Sequence, residues 1–280
     1  MGTSQSSGGS PSGVPMFPPW VPNTVPPADA GGDGDAATPS PEVPPAEPGP
    51  LPTPVPIAPA GRFGSARTRL GQYARTGSQN DMRAGLGSYV GKGWQGARSA
   101  AHRLRGSART AGSLYGALSM LAGAPTPAGS PLDPALLQGK STDQVINAVI
   151  EAARPGDGTQ DAEASRHAIH TALSELLERT PDADLFNLSD DERFFVIERF
   201  LAADVFNRIE LDLGAHIQEK APNCAAAVSR LKEIKNYVRQ TVSAAFRKLV
   251  AEGAKPTAQR IAAISRQAIQ DAFAVFEGYA

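Results

Sequence analysis

The chain has one cysteine, Cys224, in 280 residues, so it can form no intramolecular disulfide and no cysteine-built zinc cage. Aromatic residues make up only 6% of it. No run of 18 apolar residues occurs, and the N-terminus lacks both the basic region and the apolar core of a secretory signal. These absences predict an intracellular, cytoplasmic chain with no membrane contact. The glycines also miss both nucleotide-cradling patterns. No G-x-x-x-x-G-K-[ST] is present, and Gly85-Leu86-Gly87 is not followed by a third glycine three residues on.

Lys and Arg are missing altogether from residues 1–60, which hold 17 of the 25 prolines and the acids Asp29, Asp33, Asp35, Glu42 and Glu47. So much proline fixes φ and removes backbone donors, and so few apolar residues cannot offset the entropy of ordering. The segment is therefore expected to be a disordered arm sampling polyproline II. Its one large apolar cluster is Met16, Phe17 and Trp20. Proline-flanked aromatics of this kind can dock in a partner's groove, and an unbound linker is the alternative. At the start, Met1-Gly2-Thr3 predicts removal of the initiator methionine and exposure of the Gly2 α-amine, whose pKa near ~8 leaves it partly neutral and nucleophilic. Gly2 is thus a feasible conjugation site. The same stretch, with Ser6 in the last position, also fits the short myristoylation pattern, which matches often by chance.

The overall net charge of −1 conceals a block structure. Residues 61–120 carry nine Arg and Lys92 against Asp81 alone, a net of +9, between an arm of −5 and a remainder of −5. Such a block can fold back on its acidic neighbours or recruit an outside polyanion. Residues 61–124 also hold 13 glycines, so helices here should be short and dependent on tertiary partners. A helix is expected from Arg98 to Leu121. Its small residues Ala101, Ala108, Gly112 and Gly116 would permit close backbone approach, and Arg98, Arg103, Arg105 and Arg109 would lie on the other face. With Arg62 and the interleaved Phe63, Tyr89, Trp94 and Tyr115, these arginines suit either an acidic protein partner or single-stranded nucleic acid.

From Leu132 onward the pattern is helical throughout. Expected helices span 142–153, 159–179 and 189–220, the last opened by a capping box of Ser189 and Glu192. A further helix has Pro222 in its first turn and Val228, Leu231, Ile234, Val238, Val242, Ala245 and Leu249 on one stripe, closed by Gly253. Thr257 caps a final helix with Ile261, Ile264, Ala268, Ile269, Phe273 and Phe276. Phe200, Leu201, Leu231, Val238 and Phe273 are the expected core. No segment reads as a strand of real length. The expectation is an all-α protein in three parts: the arm 1–60, a basic glycine-rich segment 61–124 with short helices, and a long-helix bundle 132–280.

Chemistry is sparse in this reading. Glu163, His167 and His170 share a helix face at ligand-like spacing, but no second such set completes a site, so a polar outer face is favoured over a metal. His102 and His216 are solitary. Cys224 lies near a helix start without a base partner and reads as structural. Asp190, Asp191 and Glu192 suit the helix macrodipole. No cofactor, metal or catalytic activity is expected.

Several strings carry a resemblance. Met1-Gly2-Thr3-Ser4, Val14-Pro15-Met16-Phe17-Pro18-Pro19-Trp20, the stretch from Arg62-Phe63-Gly64 to Asn80-Asp81-Met82-Arg83 and on to Tyr89, Gly112-Ser113-Leu114-Tyr115, and Phe186-Asn187-Leu188-Ser189 through Gln218 resemble the QatB family of the bacterial Qat anti-phage defence system. The resemblance spans most of the chain, and its motifs are family strings rather than catalytic signatures. It implies a non-enzymatic role beside an ATPase (QatA), a relative of 7-cyano-7-deazaguanine synthase (QatC) and a TatD-like nuclease (QatD). It further implies that Gly2 is the site where the QatC-like partner attaches a deazaguanine-type group. A scaffold and modification substrate is the first reading. A nucleic-acid-binding adaptor serving the nuclease is the second.

Overall fold

The computed structural model describes residues 61–127, 129–251 and 257–280, so the expectations placed on the arm 1–60, including Gly2 and Trp20, and on Gly253 lie outside the described residues. Among the described residues every regular element is a helix. The first are α1 (Gly64–Thr76) and α2 (Gln79–Ser88), then a π-helical turn (Tyr89–Gly93), α3 (Ala97–Arg103) and α4 (Arg105–Leu121). After them come α5 (Pro134–Leu137), α6 (Thr142–Ala153), α7 (Gln160–Arg179), α8 (Asp190–Lys220), α9 (Cys224–Ala251) and α10 (Ala258–Glu277). No described helix is long and apolar enough to cross a membrane.

Local signals set the long helices. The Ser189 hydroxyl accepts from the Glu192 amide at 3.3 Å while the Glu192 carboxylate accepts from the Ser189 amide at 2.8 Å. That reciprocal cap opens the 31-residue α8, whose Phe200, Leu201, Val205, Ile209, Leu213 and Ile217 are buried. Ser141 and Gln144 make the same box for α6, and the Thr257 hydroxyl accepts from the Arg260 amide to start α10. α7, α8, α9 and α10 each pack on the next in sequence, as short connections between long helices favour.

The change in composition after residue 124 is not a change in packing. α4 lies along α10, α1 and α4 touch α8, and one hydrophobic core takes Leu70, Tyr73, Leu86, Leu114 and Leu118 together with Ile197, Phe200, Val238 and Phe273. Each such side chain contributes about 1.5–3 kcal/mol on full burial, which is how helices rich in glycine persist. Gly112 is a point of close approach between α4 and α10. A Cβ there would stand 2.6 Å from the carbonyl oxygen of Ala258, so only glycine lets α4 and α10 meet at that depth.

Three expectations need correction. The single helix from Arg98 to Leu121 is two helices, broken at Leu104 (φ −85°, ψ 18°), where Leu104 turns onto the core while Arg103 and Arg105 stay exposed. Pro222 stands ahead of α9 rather than in its first turn, and the Asn223 side chain caps the helix by accepting from the Ala226 amide at 2.8 Å. Phe200, Leu201, Val238 and Phe273 are buried, but Leu231 is only half-buried and Val228 is 66% exposed. These two lie near the start of α9, where they line an open apolar recess beside Gln218 and Ala221 at the end of α8.

Candidate functional site

The π-helical turn delivers Trp94 to a cluster of aromatic rings. The Trp94 and Gly96 amides both donate to the Val90 carbonyl, at 3.2 and 3.0 Å, and Gly96 takes φ +101°, a conformation open to glycine and costly for other residues. Phe63 stacks on Tyr89 with ring centroids 5.0 Å apart, and Trp94 meets Phe63 at 5.7 Å and stands perpendicular to Tyr89 at 6.0 Å. The Glu277 carboxylate of α10 accepts from the Ala97 amide at 2.9 Å, anchoring the start of α3 beside this cluster.

Three guanidinium groups lie against Trp94. Arg62 sits 4.2 Å from the centroids of both Trp94 and Phe63, Arg103 is 5.5 Å from Trp94, and Arg208 of α8 is 5.6 Å away. The ring faces attract the cations while leaving guanidinium edges for other partners. The Tyr89 hydroxyl donates to Asp212 at 2.8 Å, and Arg208 bonds Asp161 and approaches Asp212 at 3.6 Å, tying the aromatic cluster to α8 and to the first turn of α7. Burial works against the Arg208 charge, but Asp212 and Asp161 outweigh it and its pKa is held above the usual arginine value.

Around Trp94 the chain forms a two-part cleft. The outer groove, about 850 Å³, is lined by Arg62, Arg98, His102, Arg103, Arg105 and Arg208. The inner cavity, about 410 Å³, shares Trp94, Arg103 and Arg208 with it and adds Arg109, Ser107, Ser165 and Asp204. Asp204 is 5% exposed and accepts from the Ser165 hydroxyl at 2.6 Å. Burial pushes its pKa up, partly offset by hydrogen bonds from Ser107 and Ser165. Among the described residues no carboxylate lies within ion-pairing distance of Arg62, Arg98, Arg103, Arg105 or Arg109.

The structure thus gathers all five arginines singled out from the sequence at one cleft, while Trp20 and Gly2 fall outside the described residues. Sequence reasoning missed Arg208, Asp204 and Ser165, which come from α7 and α8, far along the chain from the arginines of α3 and α4. A polar residue inside the apolar stretch of α8, as Asp204 is between Ala203 and Val205, was the available signal. Glu163, His167 and His170 are exposed, and no group of three metal-ligating side chains occurs among the described residues. His216 is not idle, since its Nε2 lies 3.0 Å from the Arg67 carbonyl and links α8 to α1. Cys224 is exposed as the first residue of α9.

Tyrosines give the fold a pH limit. Burial pushes the Tyr89 phenol well above its usual pKa, with the Asp212 charge adding to it. Burial, with Glu233, raises Tyr73, and burial, with Asp190, raises Tyr115. Burial and the neighbouring Tyr279 phenol push Tyr237 up to about 12. A pKa raised in the folded state means that the folded chain holds the proton more tightly. This stabilisation is fully present below the unfolded value near ~10 and is lost as pH rises beyond it. Helicity should therefore collapse cooperatively above about pH 10, together with the appearance of phenolate absorbance. If four phenols ionise near their ordinary pKa with helicity intact, their burial is misassigned.

Searches of curated proteins and of solved structures find no match to this chain. The model of one family, the Qat anti-phage system associated protein QatB, matches residues 95–276, about two thirds of the length and every helix from α3 to the greater part of α10. With its arginine cleft built largely inside that span, the chain belongs to the QatB family and has its role in the Qat anti-phage system.

Proposed function

We propose that this chain is a non-catalytic scaffold and N-terminal modification substrate of a Qat defence complex. In this reading the helical body docks an acidic surface of a partner through the outer groove, and the Gly2 α-amine is the group presented for modification. The observation that supports it best is the set of five arginines at one cleft with no carboxylate partner among the described residues. Solvated guanidinium groups held together against their mutual repulsion are poised for an anionic partner.

Trp94 favours a protein over single-stranded nucleic acid as that partner. A base-stacking platform needs an open aromatic face, whereas Trp94 is 5% exposed with Arg62 seated on it at 4.2 Å. The partners implied are the QatC-like enzyme, the QatA-like ATPase and the QatD-like nuclease, and the modifying activity belongs to the QatC-like one. At Gly2 the amine would act as nucleophile on an acyl carbon activated by the partner, forming an amide as the activating group leaves and the amine loses a proton, with catalysis supplied by the partner.

The test is co-expression with the other Qat components, affinity capture of this chain and intact-mass measurement, for the wild type and for Gly2→Pro. The wild type should carry an added mass at its N-terminus and bring down partners in a salt-sensitive way. Gly2→Pro should still bring them down but lose both the added mass and phage protection. Full protection by Gly2→Pro with an unmodified N-terminus would remove the modification role.

A further inference from the structure

We propose that the inner cavity beside Trp94 binds a small phosphate monoester with a hydroxyl-bearing organic part, a ribose phosphate either free or as part of a mononucleotide. This goes beyond the docking role, which uses the outer groove.

Two kinds of chemistry meet in the cavity. Arg103 and Arg109 stand on its lining with no carboxylate partner among the described residues, and an arginine fork matches phosphate oxygens in a bidentate way. The other two arginines there are already engaged. Arg208 bonds Asp161, and Arg154 pairs with Asp157 at 2.8 Å, so they bound the cavity rather than wait for an anion. The same lining holds Asp204 with Ser165, Ser107 and Thr110, each less than a tenth exposed. A carboxyl group is costly to bury, and this one has acceptor sites beyond those used by the two serine hydroxyls, since a carboxylate offers about four.

An inorganic anion would use the arginines and leave Asp204 unused. A neutral sugar would do the reverse. A ligand that uses both carries a phosphate at one end and hydroxyl donors at the other, and an acidic side chain taking ribose hydroxyls is an established form of recognition. The volume, about 410 Å³, suits a ligand of that size and is too small for a folded partner or a duplex. Trp94, covered by Arg62 and Arg103, forms wall rather than stacking surface, so ring identity should count for little.

Isothermal calorimetry on the purified full-length chain tests this with ribose 5-phosphate, AMP, inorganic phosphate and ribose as probes. Ribose 5-phosphate and AMP should each bind at least about tenfold more tightly than inorganic phosphate, with ribose alone not binding. Equal affinity for the two would name the sugar phosphate as sufficient, and a clear excess for AMP would name the nucleotide. Asp204→Asn should erase the preference over inorganic phosphate. Ala164→Phe, which puts a ring into the cavity from α7 and removes no arginine, should do the same, with melting temperatures checking that both variants fold. The inference fails if inorganic phosphate and ribose 5-phosphate bind the wild type alike, or if none of the probes binds at millimolar concentration, and this wild-type comparison stands even if a variant misfolds. Neither Asp204 nor Ala164 lines the outer groove, so partner capture by these variants separates this site from the docking surface.

Discussion

Val238→Asp should leave no folded protein at room temperature, whereas Leu231→Asp should cost the fold far less. Both residues belong to the apolar stripe of α9, and they differ in what surrounds them. Val238 is fully buried in the shared core. An aspartate there loses about 1.5–3 kcal/mol of apolar burial and adds the penalty of an unpaired buried polar group, several kcal/mol even when the carboxyl protonates. The sum approaches the whole stability of about 5–15 kcal/mol expected for a chain of this kind. Leu231 is half-buried on the edge of the recess beside the end of α8, so a carboxylate there can turn to water. Far-ultraviolet circular dichroism and thermal melting of the two variants decide it. Equal melting would mean that α9 is rotated relative to the face described above.

The contrast between these two positions shows what a sequence can and cannot carry. A stripe at steps of three and four says which residues share a helix face, and the stripe containing Val238 and Leu231 is a real one. It does not say where along the helix a neighbour stops, and Leu231 lies where cover is lost. Caps are different, because their bonds span three residues. Ser189 with Glu192 and Thr257 with Arg260 are therefore readable locally, and α8 ends at Lys220 as expected. The break at Leu104 leaves no comparable mark, because Arg-Leu-Arg contains no obligatory breaker, and Leu104 is half-buried against the core.

The candidate site divides along the same line. The arginines were legible because nine Arg and Lys92 crowd residues 61–120 against the single acid Asp81. Their gathering at one cleft does not follow from the periodicity of a single helix, because the helix breaks at Leu104. That the segment is no separate unit was not legible, because composition changes near residue 124 while the core runs through it. Nor was the role of Trp94. Beside arginines in sequence it reads as a base-stacking aromatic, but in the fold its ring is buried and serves to hold Arg62, Arg103 and Arg208. The inner cavity needs Asp204 from α8, and that proximity is a property of the α4, α7 and α8 packing alone.

Reversing Arg103, Arg105 and Arg109 together to glutamate should abolish partner capture and phage protection while leaving the fold intact. All three side chains are exposed, and none has a carboxylate partner among the described residues, so their removal breaks no ion pair there. The packed structure gives up the attraction of Arg103 to the Trp94 ring at 5.5 Å, worth about 0.5–1 kcal/mol at an exposed site. Helicity and melting should therefore change little. The effect on docking is larger, because two attractive charges in the outer groove, Arg103 and Arg105, and a third in the adjoining cavity, Arg109, become repulsive beside Arg62, Arg98 and Arg208, which remain. Loss of steering alone can slow association by about 10- to 1,000-fold, and like charges set face to face add several kcal/mol against the complex. Lysine at the same three positions keeps the charge and removes the planar fork, so it should preserve most capture if the partner's acidic field is what is recognised, and little if bidentate contacts are. Affinity capture across a salt series, run beside a phage-protection assay, reads both outcomes. Undiminished capture and protection by the triple glutamate variant would show that the arginines are only a solvated face, and would move the docking surface elsewhere on the helical body.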